Sequence, residues 1–246
     1  MRRVTVAGLI GAILVLGFGA APANAVANGK DASTGMFPFA VKLTMTDIPK
    51  PDGSTYDSAC SAGLISPQWI ATAGHCFHDV NGKPVSGPVP YDTTATVGKA
   101  NTDDESGTVV DVVEVRQSGV NDVALAKLAE PVHGVTTLDV ATSAPEKDDA
   151  LTLAGWGATE ETNPVPSTQL RYGKVAVGSV AESTAGVHGV WPSADTSACT
   201  YDSGAPYFAG NTLVSVESDG PGCPHDGEET TARVDILADW IHQQIG

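Results

Sequence analysis

The stretch FAVKLTM, from Phe39 to Met45, alternates apolar residues with small or polar ones, so that Phe39, Val41, Leu43 and Met45 fall on one face of an extended strand. The same period of two recurs in the denser runs TVVDVVEVRQ and DVALAKL, and turns rich in glycine, proline and asparagine separate such runs. Only the C-terminal end spaces its apolar residues at intervals of three and four. The pattern predicts an all-β protein, a sandwich or a barrel, with one terminal helix.

The N-terminal end has the features of an export signal. Arg2 and Arg3 precede an apolar run from Val4 to Phe18, and an Ala-Asn-Ala sequence follows, as at a signal-peptide cleavage site. The alternative, a membrane anchor, is disfavoured because the run is shorter than the roughly 20 apolar residues that span a bilayer. We therefore expect residues 1–25 to be a signal peptide, with a secreted, extracellular chain beginning at Val26.

The charge balance excludes several classes of partner. The 246 residues include 29 Asp and Glu against 13 Lys and Arg, a net charge of −16. A strongly acidic chain is a poor ligand for nucleic acid or anionic membranes, and neither is expected as a partner.

The chain has four cysteines, which in an exported protein predict two disulfides with three possible pairings. We favour local pairing of Cys60 with Cys76 and of Cys199 with Cys223. A metal site around His75 is the alternative, but the CxxC and HExxH spacings are absent there. No metal and no cofactor are expected.

Three short motifs supply the groups that amide or ester cleavage by a serine requires. ATAGHC places His75 after an apolar strand, NDVALAKL places Asp122 at the head of another, and CTYDSGAP places Ser203 on a turn next to a glycine. A base must take the serine proton, a carboxylate must orient the base, and hydrogen-bond donors must stabilise the oxyanion.

The combination, in the order His, Asp, Ser, resembles the chymotrypsin-like (trypsin family) serine peptidases. SAGLISPQWIATAGHC resembles the strand that leads to the catalytic histidine of that family, and AGWG resembles the strand that opens its second barrel. LVSVESDGPGC resembles the strand along which substrate lies, and TARVDILADWI resembles the terminal strand and helix.

The resemblance implies two six-stranded antiparallel β-barrels with a C-terminal helix and an active site in the cleft between the barrels. The expected boundaries within a peptidase domain of residues 26–246 are about 30–135 for the first barrel, about 145–234 for the second and about 235–245 for the helix. A proline- and acid-rich segment between the two halves is the expected internal boundary.

The resemblance also assigns roles. His75 would act as general base and then acid, Asp122 would hold the His75 imidazole in one tautomer, and Ser203 would attack the carbonyl of the substrate. The backbone N–H groups of Ser203 and Tyr201 would face the oxyanion.

The N-terminus adds an argument of its own. In the family, a small apolar N-terminal residue folds inward and pairs with the aspartate that precedes the nucleophile. The expected cleavage falls immediately before Val26, so Val26 would pair with Asp202, and removal of the signal peptide would release an active form.

By the same resemblance, the substrate-binding positions are Ser197, Ala198, Glu217, Ser218, Asp219, Gly220 and Glu229. Ser197 at the base of the pocket predicts an apolar residue on the N-terminal side of the scissile bond, the P1 residue. Glu217 and Glu229, on the pocket wall, would instead select a basic P1 residue, unless both are solvated glutamates.

One position departs from the family pattern. Tyr201 stands where the family has the first glycine of GDSGG.

We expect a secreted, bacterial-type serine endopeptidase that is monomeric, acts on protein or peptide substrates and can be bound by a proteinaceous inhibitor. The alternatives are a secreted esterase and a peptidase-fold binding protein that lost its oxyanion hole through Tyr201.

Overall fold

A computed structural model describes residues 26–246, so the expected signal peptide lies outside the described residues. These residues form fifteen strands, two 3₁₀ turns and one α-helix. The strands are β1 (Lys30–Asp31), β2 (Ala40–Pro49), β3 (Thr55–Ser66), β4 (Trp69–Ala73), β5 (Gly87–Pro88), β6 (Thr93–Val97), β7 (Thr108–Gln117), β8 (Val123–Leu128), β9 (Asp139–Val140), β10 (Ala150–Gly155), β11 (Arg171–Val180), β12 (Thr184–Trp191), β13 (Pro206–Ala209), β14 (Thr212–Asp219) and β15 (Glu229–Arg233). The 3₁₀ turns are Gly74–Cys76 and Asp235–Leu237, and α1 is Ala238–Ile245.

Two closed barrels of six strands each account for most of the chain. In the first barrel the order is β2-β3-β4-β8-β7-β6, and β6 returns to β2; β5 adds to the edge of β7. In the second the order is β10-β11-β12-β15-β14-β13, and β13 returns to β10; β1 pairs with β11, and β9 runs parallel to β14. Of the two architectures that the strand pattern allowed, the chain forms barrels, which leave no edge unpaired around each ring.

The alternating stretch that opens the sequence lies at the start of β2 and faces the interior of the first barrel. Phe39, Val41, Leu43 and Met45 are all buried, as period two predicts. Lys42 is buried too, although alternation places it on the outer face. The second barrel covers that face, and Lys42 Nζ donates a hydrogen bond to the Ser167 carbonyl, 2.6 Å away.

The end of the chain packs as predicted. The 3₁₀ turn at Asp235–Leu237 leads into α1, whose Ile241 is fully buried in the same hydrophobic cluster as the first barrel. No helix within residues 26–246 is long and apolar enough to cross a membrane.

Candidate active site

The register of two strands in the first barrel brings His75 beside Asp122. Strands β4 and β8 pair with Ala73 opposite Val123, so the turn after β4 meets the residue that precedes β8. Asp122 accepts two hydrogen bonds from His75: Oδ1 from the backbone N–H at 2.8 Å, and Oδ2 from Nδ1 at 2.7 Å. Ser218 Oγ also donates to Oδ2, at 2.7 Å. The imidazole is therefore held in one orientation, with Nε2 left for another partner.

The environment favours the ionised form of Asp122. Burial opposes ionisation, but the hydrogen bonds and charge of His75, with the hydrogen bond from Ser218, outweigh it and lower the pKa of Asp122. A carboxylate in this position stabilises an imidazolium when His75 takes up a proton.

Ser203 lies on a tight turn between the disulfide-bonded Cys199 and β13. The turn packs against the first barrel: the Ser203 carbonyl accepts from the Ser61 N–H at 2.9 Å. Gly204 has a φ of 81°, and a Cβ there would lie 2.1 Å from Thr72 Oγ1, so only glycine fits. This close docking presents Ser203 to the cleft, where it and His75 line a common cavity of about 240 Å³.

The two side chains are near neighbours without a hydrogen bond. Within residues 26–246, no hydrogen bond joins His75 Nε2 to Ser203 Oγ. Such bonds are commonly long in the absence of substrate and tighten when substrate binds.

The peptide group before Tyr201 has a defined direction. The Thr200 carbonyl accepts from the Ala158 N–H at 2.7 Å, on the side of the loop after β10. In a trans peptide the N–H points opposite to the carbonyl, so the Tyr201 N–H points away from Ala158. Neither this N–H nor that of Ser203 meets a hydrogen-bond acceptor in the described part of the chain.

Tyr201 adopts the backbone conformation for which glycine is the usual choice, with a φ of 77°. Its carbonyl accepts from Ser61 Oγ at 3.2 Å, and its hydroxyl donates to the Pro164 carbonyl at 3.4 Å. The side chain borders both the cavity that holds His75 and a neighbouring cavity of about 330 Å³ that Lys42 lines. The tyrosine thus changes the wall of the cleft while the peptide group keeps its direction.

Val26 and Asp202 meet in the interior of the second barrel, where both are fully buried. Asp202 accepts from the Gly157 N–H at 2.8 Å and from the Cys199 N–H at 3.1 Å, and the Val26 N–H donates to it as well. Burial nevertheless raises the pKa of Asp202 to about 7, because none of residues 26–246 places a cation there to offset the loss of water.

Another cavity, of about 190 Å³, opens beside Ser203; we call it the acidic pocket. Its wall includes most of the predicted substrate-binding residues: Ala198, Glu217, Ser218, Asp219, Gly220 and Glu229. Ser197 is not part of this wall; it is 2% exposed, and its Oγ accepts from the His225 N–H at 3.3 Å.

The two glutamates of the pocket are buried, so the alternative of solvated glutamates is wrong. Glu217 is 4% exposed and Glu229 is 3% exposed. The Tyr207 hydroxyl donates to Glu217 Oε2 at 2.6 Å, and the Ala198 N–H donates to Glu229 Oε1 at 2.7 Å. Each carboxyl is held by one strong hydrogen bond, and each lines the pocket.

Sequence reasoning missed three residues of this region. Tyr207 on β13 supports Glu217, His225 lies beside Glu229, and Glu161 reaches the pocket mouth from the loop after β10. A buried tyrosine next to a glutamate on the neighbouring strand leaves no local signal.

Both disulfides of the described chain flank the site. Cys60 is bonded to Cys76, which follows His75, and Cys199 is bonded to Cys223 at the pocket wall.

Comparison with known proteins agrees with the fold. The family model described as Trypsin matches residues 26–241. Trypsin alpha of Drosophila erecta is 25% identical over 239 residues, covering 88% of this chain and 86% of that protein. Hypodermin-B of Hypoderma lineatum is 27% identical over 203 residues, covering 74% of this chain and 76% of its own length.

A solved structure of HL collagenase superposes with a TM-score of 0.71 at 26% identity, covering 89% of this chain and 98% of the other. The relatives are animal proteins, and they give no support to the expectation of a bacterial-type member. The match of the family model over nearly all of residues 26–246, with the two barrels, shows that this chain belongs to the trypsin family of chymotrypsin-like serine peptidases and is a serine-type endopeptidase.

Proposed function

We propose that the protein is a secreted endopeptidase that hydrolyses peptide bonds through an acyl-enzyme, with His75, Asp122 and Ser203 as its catalytic triad. The observation that carries the proposal is the cavity shared by His75 and Ser203, in which the imidazole Nδ1 and the backbone N–H of His75 each form a hydrogen bond to Asp122.

The proposed reaction has two halves, formation of the acyl-enzyme and its hydrolysis, and His75 and Asp122 act in the same way in both. His75 Nε2 takes the hydroxyl proton as Ser203 Oγ bonds to the scissile carbonyl carbon, and the resulting imidazolium is stabilised by Asp122. His75 then gives the proton to the leaving amine nitrogen as the C–N bond breaks, which leaves an ester on Ser203. Water repeats the sequence in place of the serine and releases the acid product.

The N–H groups of Tyr201 and Ser203 are the proposed oxyanion donors. Both lack an acceptor within residues 26–246, and the bond between the Thr200 carbonyl and Ala158 supports the required direction for Tyr201. A donor of this kind is worth roughly 2.7–4 kcal/mol in the transition state.

Activation by loss of residues 1–25 is part of the proposal. Cleavage would turn the Val26 amide into an ammonium beside the buried Asp202 carboxyl. A cation there would restore ionisation of Asp202, and the ion pair would order the turn that carries Ser203 and Tyr201. Removal of one partner from a buried pair typically costs about 3–5 kcal/mol.

The test is labelling with a fluorophosphonate probe together with digestion of a mixed peptide library by the mature chain. We expect Ser203→Ala to abolish labelling and His75→Ala to reduce it strongly, each with a loss of turnover on the order of 10⁶-fold. Ser143→Ala, a change at an exposed serine away from the cleft, serves as the matched control and should retain both activities.

Two results would overturn the proposal. Labelling that persists in Ser203→Ala would show that another residue is the nucleophile. Labelling of Ser203 with hydrolysis of small esters, but of no peptide, would assign the same triad to an esterase.

A further inference from the structure

The reacting groups of the proposed triad come from different barrels. His75 and Asp122 belong to the first barrel, whereas Ser203 lies on the turn before β13 of the second. Each disulfide of the described chain joins two segments of the same barrel, so neither bond links the base to the nucleophile. The placement of His75 relative to Ser203 therefore depends on noncovalent contacts between the barrels.

Ser61 lies where the first barrel meets the nucleophile turn. It belongs to β3 and is fully buried. Its backbone N–H donates to the Ser203 carbonyl at 2.9 Å, and its Oγ donates to the Tyr201 carbonyl at 3.2 Å. One residue of the first barrel thus holds the carbonyl of the nucleophile itself and the carbonyl two positions before it.

The direction of the Ser61 hydroxyl is determined by its other partner. The backbone N–H of Trp156, in the loop after β10, donates to Ser61 Oγ at 3.0 Å. An N–H cannot accept, so the oxygen is the acceptor in that bond, and the single hydroxyl proton remains for the Tyr201 carbonyl. The hydroxyl therefore joins two segments of the second barrel to β3.

A short path connects Ser61 to the general base. Ser61 follows Cys60, whose disulfide partner Cys76 follows His75. From the neighbouring strand β4, Thr72 Oγ1 donates to the Ser61 carbonyl at 2.7 Å, just before the turn that carries His75. Ser61 is therefore fixed relative to the base by a disulfide and by a hydrogen bond.

The Ser61 side chain has no surface that a substrate could reach. Its exposed fraction is 0%, and it lines neither the cavity of His75 and Ser203, nor the neighbouring cavity beside Lys42, nor the acidic pocket. Any effect of Ser61 on the reaction must therefore act through the residues that it holds.

We propose that Ser61 is a positioning residue for hydrolysis, and that its hydroxyl aligns the turn of Tyr201 and Ser203 with His75. The inference rests on the proposed endopeptidase function, because it takes Ser203 as the nucleophile and the Tyr201 N–H as an oxyanion donor. Without the hydroxyl, the Tyr201 carbonyl and the Trp156 N–H are left buried and without a partner among residues 26–246, which favours rearrangement of the turn.

The experiment compares Ser61→Ala with the unaltered mature protein, on an anilide substrate built from the best-cleaved sequence of the peptide library. Ser61→Ala removes the hydroxyl and keeps the N–H that bonds to Ser203. Competent sites are counted by fluorophosphonate labelling to completion, and kcat is expressed per labelled site. A purely structural role would lower the labelled fraction and the midpoint of urea denaturation, but it would leave kcat per labelled site unchanged.

We expect Ser61→Ala to lower kcat per labelled site by roughly 10- to 100-fold and to change KM by less than twofold, because misplacement of reacting groups by about 1 Å can cost about 10²-fold in rate. Ser215→Ala is the matched control. Ser215 is also a fully buried serine on a strand, but its Oγ forms no hydrogen bond within residues 26–246, so both constants should be unchanged. Ser61→Thr keeps the hydroxyl and should retain kcat per labelled site within about threefold.

An unchanged kcat per labelled site in Ser61→Ala, or an equal fall in Ser215→Ala, would overturn the inference. A higher KM in Ser61→Ala without a fall in kcat would also overturn it, since the hydroxyl would then act on substrate binding. If Ser61→Ala does not fold, Ser61→Thr decides: kcat retained within the expected range supports the role of the hydroxyl, and a fall of about tenfold or more contradicts it. Absence of labelling and hydrolysis in the unaltered protein would instead count against the proposed endopeptidase function.

Discussion

Tyr201 is a side chain placed on a backbone that suits glycine. A positive φ costs a residue with a Cβ about 1–2 kcal/mol. The turn retains this conformation because the groups around it are bonded on both sides: Thr200 to Ala158, and the Tyr201 carbonyl to Ser61. The turn therefore tolerates the positive φ of Tyr201, and the direction of the Tyr201 N–H is preserved.

Replacement of Tyr201 tests whether the tyrosine impairs the oxyanion site. Because the Tyr201 N–H points away from Ala158, as the proposed oxyanion role requires, we expect Tyr201→Gly to change kcat on a small anilide substrate by less than about tenfold, well below the 10²–10³ that an oxyanion donor supplies. Tyr201→Ala retains a Cβ at positive φ but lacks the ring, so it separates the effect of the ring from that of the backbone. A gain of a hundredfold or more in Tyr201→Gly alone would indicate that the N–H is misdirected in the natural chain.

At the scale of elements, two disulfides hold the short segments that carry the site. The Cys60–Cys76 bond joins β3 to the 3₁₀ turn of His75 and closes a sequence separation of 16, and the Cys199–Cys223 bond joins the turn before Ser203 to the loop after β14 across a separation of 24. The turn that carries His75 and the turn before Ser203 both lie outside the strands, so the disulfides supply order there that the barrel hydrogen bonds do not.

Removal of each bond by paired alanine substitutions should separate stability from specificity. We expect both double variants to lose about 3 kcal/mol in free energy of unfolding, from the chain entropy of loops of this size. The variant Cys199→Ala with Cys223→Ala should also raise KM for peptide substrates, because both cysteines line the acidic pocket. The variant Cys60→Ala with Cys76→Ala should instead lower kcat, because these cysteines line the cavity that contains His75 and Ser203. Urea denaturation and steady-state kinetics measure the two effects; an equal change of KM in both variants would contradict the argument.

For the whole molecule, folding places several carboxyl groups in surroundings that oppose their ionisation. Burial raises the pKa of Glu229 to about 8, and burial together with the charge of Glu229 raises the pKa of Glu217 well above its usual range. An unfolded glutamate ionises near pH 4.3, so between that value and pH 8 the folded state binds more protons than the unfolded state. The stability from these groups is therefore greatest in mild acid and is lost as the pH rises towards 8.

We predict that the free energy of unfolding of the mature protein falls as the pH rises from 5 to 8, by up to about 1.4 kcal/mol per pH unit for each group. In the mature chain the Val26 ammonium is expected to offset the effect of burial on Asp202. The pH dependence of the free energy of unfolding then comes from the two glutamates. Glu229→Gln should reduce the slope and leave only the part due to Glu217, while Glu130→Gln, at an exposed position after β8, should leave the slope unchanged. Chemical denaturation at several pH values measures this; a stability that increases up to pH 8 would show that the buried glutamates are not the dominant titrating groups.

Much of the fold was predictable because it depends on local pattern. Alternation in FAVKLTM places Phe39 and Leu43 inside the first barrel, and terminal helical spacing predicts α1. The order of the His75, Asp122 and Ser203 motifs predicted the family that the comparisons show. The burial of Lys42 was not predictable, because it follows from the second barrel, whose Ser167 lies 125 positions further along the chain.

The sequence by itself therefore determined the all-β fold class, the order of the reactive groups and the family, since each depends on short motifs or on local alternation. Only the tertiary structure decided that Glu217 and Glu229 are buried, that Tyr207 and Ala198 hold them, and that the Tyr201 N–H points away from Ala158. The physical reason is that a carboxyl group loses its water when neighbouring strands cover it. These strands meet only when the second barrel closes.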